Sequence, residues 1–181
     1  EGAGRSEQAI RYWRQAGDRD LRRFAMKEAI SHYSNAMRVV SSLPESRARA
    51  EQQLATHLAL GLAQQIALGP ATKESGAHYE QALAISQSLN KVDRERFLAT
   101  WGIWFYCAMT GRTAESYRHA DNLVSIAREL DDPDLLLEAF HARIPGLQRR
   151  AHFPEIKEAC EEVIRRSKAI ASEHGARMSA M

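Results

Sequence analysis

The chain has 181 residues, with 25 Lys and Arg against 23 Asp and Glu. Its formal net charge of +2 gives no electrostatic case for nucleic acid or an anionic membrane surface as partner. Gly at 10 and Pro at 5 are low, Ala, Leu, Glu, Arg and Gln are abundant, and the composition excludes a sheet-rich fold in favour of an all-α one.

The first expected helix runs from Ser6 to Arg22, with Ile10, Trp13, Ala16 and Gly17 on one face. Its run of Arg11, Arg14, Arg19, Arg22 and Arg23 reads as a solvated face. The second runs from Phe24 to Ser41 and carries Ala29, Ile30, Tyr33, Ala36, Met37 and Val40 at helical spacing. Leu43-Pro44 ends it. The third, from Glu45 to Leu68, opens polar and turns apolar at Leu54, Leu58, Leu60 and Ile66. Gly69-Pro70 stops it, since Gly supplies the left-handed cap and Pro forbids continuation.

Thr72 is placed to cap the fourth helix, which runs to Leu89 through Tyr79, Ala82, Leu83 and Ile85, with Asn90 after it. The fifth is the most apolar: Phe97, Leu98, Trp101, Ile103, Trp104, Phe105, Tyr106 and Met109, closed by Gly111. Thr113 reads as the N-cap of the sixth, which carries Tyr117, Ala120, Leu123, Val124, Ile126 and Ala127 to Leu130. Asp132 followed by Pro133 opens the seventh. Leu135, Leu136, Ala139, Phe140 and Ile144 follow, and Pro145-Gly146 is expected to interrupt and kink it. Phe153-Pro154 opens the eighth, with Ile156, Ala159, Cys160, Val163 and Ile164, ending near Ala171 before a polar tail from Ser172.

Three segments share one spacing: Ala29-Tyr33-Ala36, Ser75-Tyr79-Ala82 and Ser116-Ala120-Leu123. Residues at i, i+4 and i+7 lie on one helix face, where small ones let a neighbouring helix approach. Short loops make sequential helices antiparallel. A single domain, 1–181, is expected, with pairs at 6–42, 45–89, 91–130 and 132–171 recurring about every 40 to 44 residues.

These residues resemble the tetratricopeptide repeat family. Trp13, Gly17, Ala29, Tyr33, Ala36 and Pro44 match its motif in the first pair. Leu60, Gly61, Tyr79 and Ala82 match in the second, Gly111, Ser116 and Ala120 partly in the third, and Phe153 and Ala159 faintly in the fourth. Pro145-Gly146 departs from the pattern, and the pairs are longer than the family's repeat of about 34 residues. The succession of Ala29–Met37, Leu43–Glu51, Leu58–Gly61, Trp101–Trp104 and Asp131–His141 is also similar to the C-terminal repeat region of large bacterial cyclase or transcriptional-regulator ATPases. The resemblance implies a right-handed α-α superhelix of about eight antiparallel-paired helices. It also implies a place at the end of a longer signalling protein, and the first residue, which is not Met, agrees with an excised segment.

The sequence carries no constellation for catalysis or cofactor binding. The 7 histidines show no metal-ligand spacing, and Cys107 and Cys160 are isolated and expected to be reduced and buried. No nucleotide-binding loop or nucleophile elbow occurs. The three aspartates at 131, 132 and 134 read as capping residues rather than a cation loop, and His32 is expected on the solvent side of its helix. No catalytic residue, metal or cofactor is therefore expected. No apolar run is long enough to cross a bilayer and no secretory signal precedes the first helix, so a cytoplasmic protein is expected.

In the repeat family the first helix of each pair lines the concave face. On that basis Trp101 and Phe105, four apart, are the candidates to anchor a partner peptide or helix there; the alternative is that Trp104 and some of its aromatic neighbours pack between repeats and the rest fill the neighbouring groove. His141, Gln148 and Arg149 of the seventh helix, with Arg14 and Arg22 of the first, fall on the same face. An apolar centre flanked by polar and basic groups suits an acidic-aromatic peptide. The expected role is a non-catalytic interaction scaffold. A small-molecule sensor and a self-association module, dimeric through its end helices, are the alternatives.

Overall fold

The computed structural model describes residues 2–149 and 151–179. Every regular element among them is an α-helix: α1 (Gly2–Arg22), α2 (Met26–Ser41), α3 (Arg47–Leu68), α4 (Lys73–Ser88), α5 (Arg94–Met109), α6 (Thr113–Glu129), α7 (Pro133–Arg149) and α8 (Phe153–Ser179). Each helix packs on the one before it and the one after it, and α3 also touches α5. No helix of the described residues is long and apolar enough to cross a membrane.

The helix ends follow local chemistry. Ser46 adopts extended backbone and its hydroxyl accepts from Arg49 N at 3.1 Å, which starts α3. Asp93 does the same for α5, accepting from Arg96 N at 3.0 Å. Asp132 Oδ1 accepts from Asp134 N at 3.0 Å and Leu135 N at 3.1 Å, so the aspartate run is a cap, as its order indicates. Gly69 and Gly111 close their turns at φ 99° and 77°.

Two caps differ from expectation. Thr113 lies inside α6; Arg112 holds the N-cap position, with no side-chain bond to the helix start. Its guanidinium serves instead as a bridge, bonding Glu115 Oε1 at 2.9 Å and Glu80 Oε1 at 3.4 Å. Thr72 does stand at the N-cap of α4, yet its hydroxyl makes no cap bond and is buried without a partner.

The three segments of common spacing sit alike. Ala29, Tyr33 and Ala36 of α2, Ser75, Tyr79 and Ala82 of α4, and Ser116, Ala120 and Leu123 of α6 are all buried. Tyrosines meet glycines at the seams between helices. A Cβ added at Gly17 would stand 2.5 Å from Tyr33, and one at Gly61 3.0 Å from Tyr79. The Tyr33 hydroxyl donates to Asp18 Oδ1 at 2.7 Å, and that of Tyr79 to Gln65 Oε1 at 3.1 Å. Each ring thus meets the interior while its hydroxyl keeps a partner.

The largest core cluster joins α5, α6, α7 and α8 through Phe97, Leu123, Val124, Leu136, Phe140 and Ala159. Fully burying a side chain the size of Leu123 contributes roughly 1.5–3 kcal/mol. Ala29, Tyr33, Leu60 and Ala63 form a separate cluster at the α2–α3 seam.

The expected interruption at Pro145-Gly146 does not occur: α7 runs through Pro145 to Arg149. Proline there removes one helix hydrogen bond. The compensation is packing, since a Cβ at Gly146 would lie 2.6 Å from the Tyr117 ring, which presses against this turn. Further along, α8 is helical past Ala171 to Ser179, and the side chain of Val163 lies outside the described residues. Cys107 is buried and Cys160 half-buried. His32 is not turned to solvent as expected. It stacks on Trp13 at 5.5 Å between centroids and bonds Asp20 at 2.8 Å, because α1 and α2 approach closely at Gly17.

Candidate functional site

A cleft lies between α1 and the start of α3, with a volume of about 530 Å³. Ile10, Arg11 and Arg14 line it from α1, Pro44 from the connecting loop, and Arg49 and Gln52 from α3. The α2 hairpin sets the opposition. Chain leaving α1 returns through α2, and the Pro44–Ser46 segment then starts α3 opposite the middle of α1.

The cleft holds two guanidinium groups with unmet hydrogen-bonding capacity. Arg14 Nη1 donates to Gln52 Oε1 at 3.2 Å, across 38 residues of sequence. Arg49 Nη1 reaches Glu45 Oε1 at 3.7 Å, but that carboxylate is 95% exposed and the pair is weak. The Nε atoms of both arginines are buried and have no hydrogen-bond partner. A buried donor left unmet costs about 1–3 kcal/mol, so such groups ordinarily find an acceptor.

Three arginines, Arg11, Arg14 and Arg49, share the lining with two carboxylates, Glu7 and Asp18. Asp18 lines it, but its Oδ1 already accepts from the Tyr33 hydroxyl. The first turn of α3 has no acidic residue, and Ser46 caps it. Glu7 is the remaining carboxylate of the lining.

A second feature lies on α5. Trp101 and Phe105 stack with centroids 5.4 Å apart, and Trp104 joins them at 5.6 and 5.9 Å. All three are half-buried. Trp101 and Trp104 both pack, partly buried, against the core cluster shared by α5, α6, α7 and α8. Ile144 of α7 packs against the same cluster. Leu98 and Met109, on the helical stripe through Trp101 and Phe105, are exposed, as are Leu62 and Ile66 of α3.

The other expected contact residues stand apart. His141, Gln148 and Arg149 are exposed on α7, and no ring contact or hydrogen bond ties them to the Trp101 cluster among the described residues. Arg22 is exposed at the end of α1, outside the cleft lining. The structure therefore joins Trp101 to Phe105, and places Arg14 with Arg49 and Gln52. The last two carried no sequence signal that points to the cleft.

No constellation of three or more His, Cys, Asp or Glu side chains poised for a metal occurs among the described residues. Burial pushes the Cys107 thiol up, away from the reactive thiolate. No family model matches the chain, and no curated protein matches it.

Proposed function

We propose that the chain is a non-catalytic interaction module of the tetratricopeptide-repeat type, whose helices form a right-handed superhelix and hold an acidic-aromatic peptide. In this reading the α1–α3 cleft takes the acidic residue, and the exposed stripe of α5 takes the apolar ones. The observation that carries it is that Arg14 and Arg49 line one cleft and each keeps a buried Nε donor without a partner; a peptide carboxylate is the proposed acceptor. The burial of all three spaced segments supports the repeat assignment. The module serves as the regulatory end of a larger cytoplasmic bacterial signalling protein.

A cleft of about 530 Å³ also fits a small anionic ligand, which keeps a sensor role as the second reading. Fluorescence polarisation separates the two. A labelled peptide with two carboxylates and one aromatic residue is titrated with the chain and with Arg14→Gln and Arg49→Gln. The peptide reading predicts binding that weakens tenfold or more in each variant with unchanged circular dichroism. Binding unaffected by both substitutions rejects it. Displacement of the peptide by free dicarboxylates at equal affinity favours the sensor.

A further inference from the structure

We propose that His57 and His78 form a two-imidazole site for a first-row transition-metal dication, Zn²⁺ or Cu²⁺, that clips α3 to α4. The two residues lie 21 apart in sequence, one on each helix, and their Nδ1 atoms face each other at 2.8 Å. The rings are tilted by 48° with centroids 5.1 Å apart. Two imidazole lone pairs do not tolerate that approach without something shared between them. In the metal-free pair one neutral ring donates its Nδ1–H to the other.

A metal ion can take the place of that proton. Both rings then adopt the Nε2–H tautomer and offer both Nδ1 lone pairs, with no net loss or gain of protons and with bound waters leaving the ion. Zinc–nitrogen bonds of about 2.0–2.1 Å in tetrahedral geometry set nitrogens about 3.3 Å apart, so the rings open by about 0.5 Å. Rotation of the two half-buried side chains provides that movement.

The backbone around the pair is held. His57 sits one turn before Gly61 and His78 directly precedes Tyr79, and Gly61 packs against the Tyr79 ring. The seam that brings the helices together thus fixes the distance between the histidines. Their environment favours the ligating form. Burial holds both imidazoles below the ordinary range, His57 at about 4, so protons do not compete near neutral pH. Burial is the main cause for both rings, and a protonated His78 would lower His57 further. Two protein ligands leave the remaining positions to water, and copper binds more tightly than zinc.

The full chain is titrated with Zn²⁺ by calorimetry at pH 7, alongside His57→Gln, His78→Gln and, as a control, His152→Gln. The site predicts one Zn²⁺ per chain, an affinity at least tenfold lower in each of the first two variants, and no change in the control. Equal affinity in all four chains, the result of an adventitious ion only, overturns it. Electron paramagnetic resonance of the unmodified chain with one equivalent of Cu²⁺ decides independently of variant folding. Superhyperfine coupling to two imidazole nitrogens supports the site, and coupling to fewer than two rejects it.

Discussion

The Tyr79 ring fills the space that a side chain at Gly102 would need: a Cβ there would lie 2.2 Å from the ring. Tyr79 belongs to α4 and Gly102 to α5, while on its other side the ring meets Gly61 of α3. One aromatic side chain therefore sets the approach of three consecutive helices. The same device recurs as Tyr33 on Gly17, Tyr106 on Gly76 and Tyr117 on Gly146. Interiors are close-packed, so a ring lodged over a glycine tolerates no added atom without displacement of a helix.

Gly102→Ala is expected to destabilise the protein by about 2–3 kcal/mol, despite the higher helix propensity of alanine. Urea unfolding followed by circular dichroism measures it. Gly4, whose Cβ would meet nothing within 4 Å, is the comparison: Gly4→Ala should be neutral or slightly stabilising. Equal effects at the two sites would remove the seam from the account.

Tyr33→Phe keeps the ring over Gly17 and removes the hydroxyl that donates to Asp18. The expected loss is about 1–2 kcal/mol, because a carboxylate acceptor strengthens the bond. The bond to Asp18, together with burial, also holds the Tyr33 phenol well above the ordinary range. Alkaline titration followed by ultraviolet absorbance should show Tyr33 ionising only with unfolding.

His57 and His78 make stability depend on acid. Both are held below the ordinary imidazole range in the folded chain, so between that range and about pH 4 the unfolded state binds more protons. Stability is therefore full above about pH 6.5 and falls as pH drops toward 4. Discounted for partial solvent access, the loss is about 1 kcal/mol, a few degrees in Tm. Melting curves at pH 7 and pH 5 should differ less in His57→Gln than in the parent chain.

Much of the helix layout was legible because each signal is local. Apolar residues at helical spacing, Asp132 at a helix start, and Gly69 and Gly111 at ends act within a few residues. Gly102 has no local signal, because it sits inside the apolar run of Trp101 and Ile103, where nothing nearby asks for a glycine. Its reason is Tyr79, on another helix. Pro145 misled in the opposite direction: the local cost was read, and the packing of Tyr117 on Gly146 that offsets it was not visible.

The candidate site was less legible for the same reason. Arg14 was singled out, but as part of a basic run that is otherwise mostly exposed. That it meets Gln52 and lies opposite Arg49 depends on the length of α2 and the turn at Pro44, which no spacing between the arginines records. The pairing of His57 with His78 arises likewise from the Gly61–Tyr79 contact and has no short-range motif.

Nitrogen-15 spectra of the arginine side chains test the central claim most directly. The Nε–H groups of Arg14 and Arg49, assigned through Arg14→Gln and Arg49→Gln, are followed while an acidic-aromatic peptide is added. The account predicts that these two signals shift together and saturate with the peptide, while that of exposed Arg22 stays in place. Saturating binding that leaves both signals unmoved would contradict it.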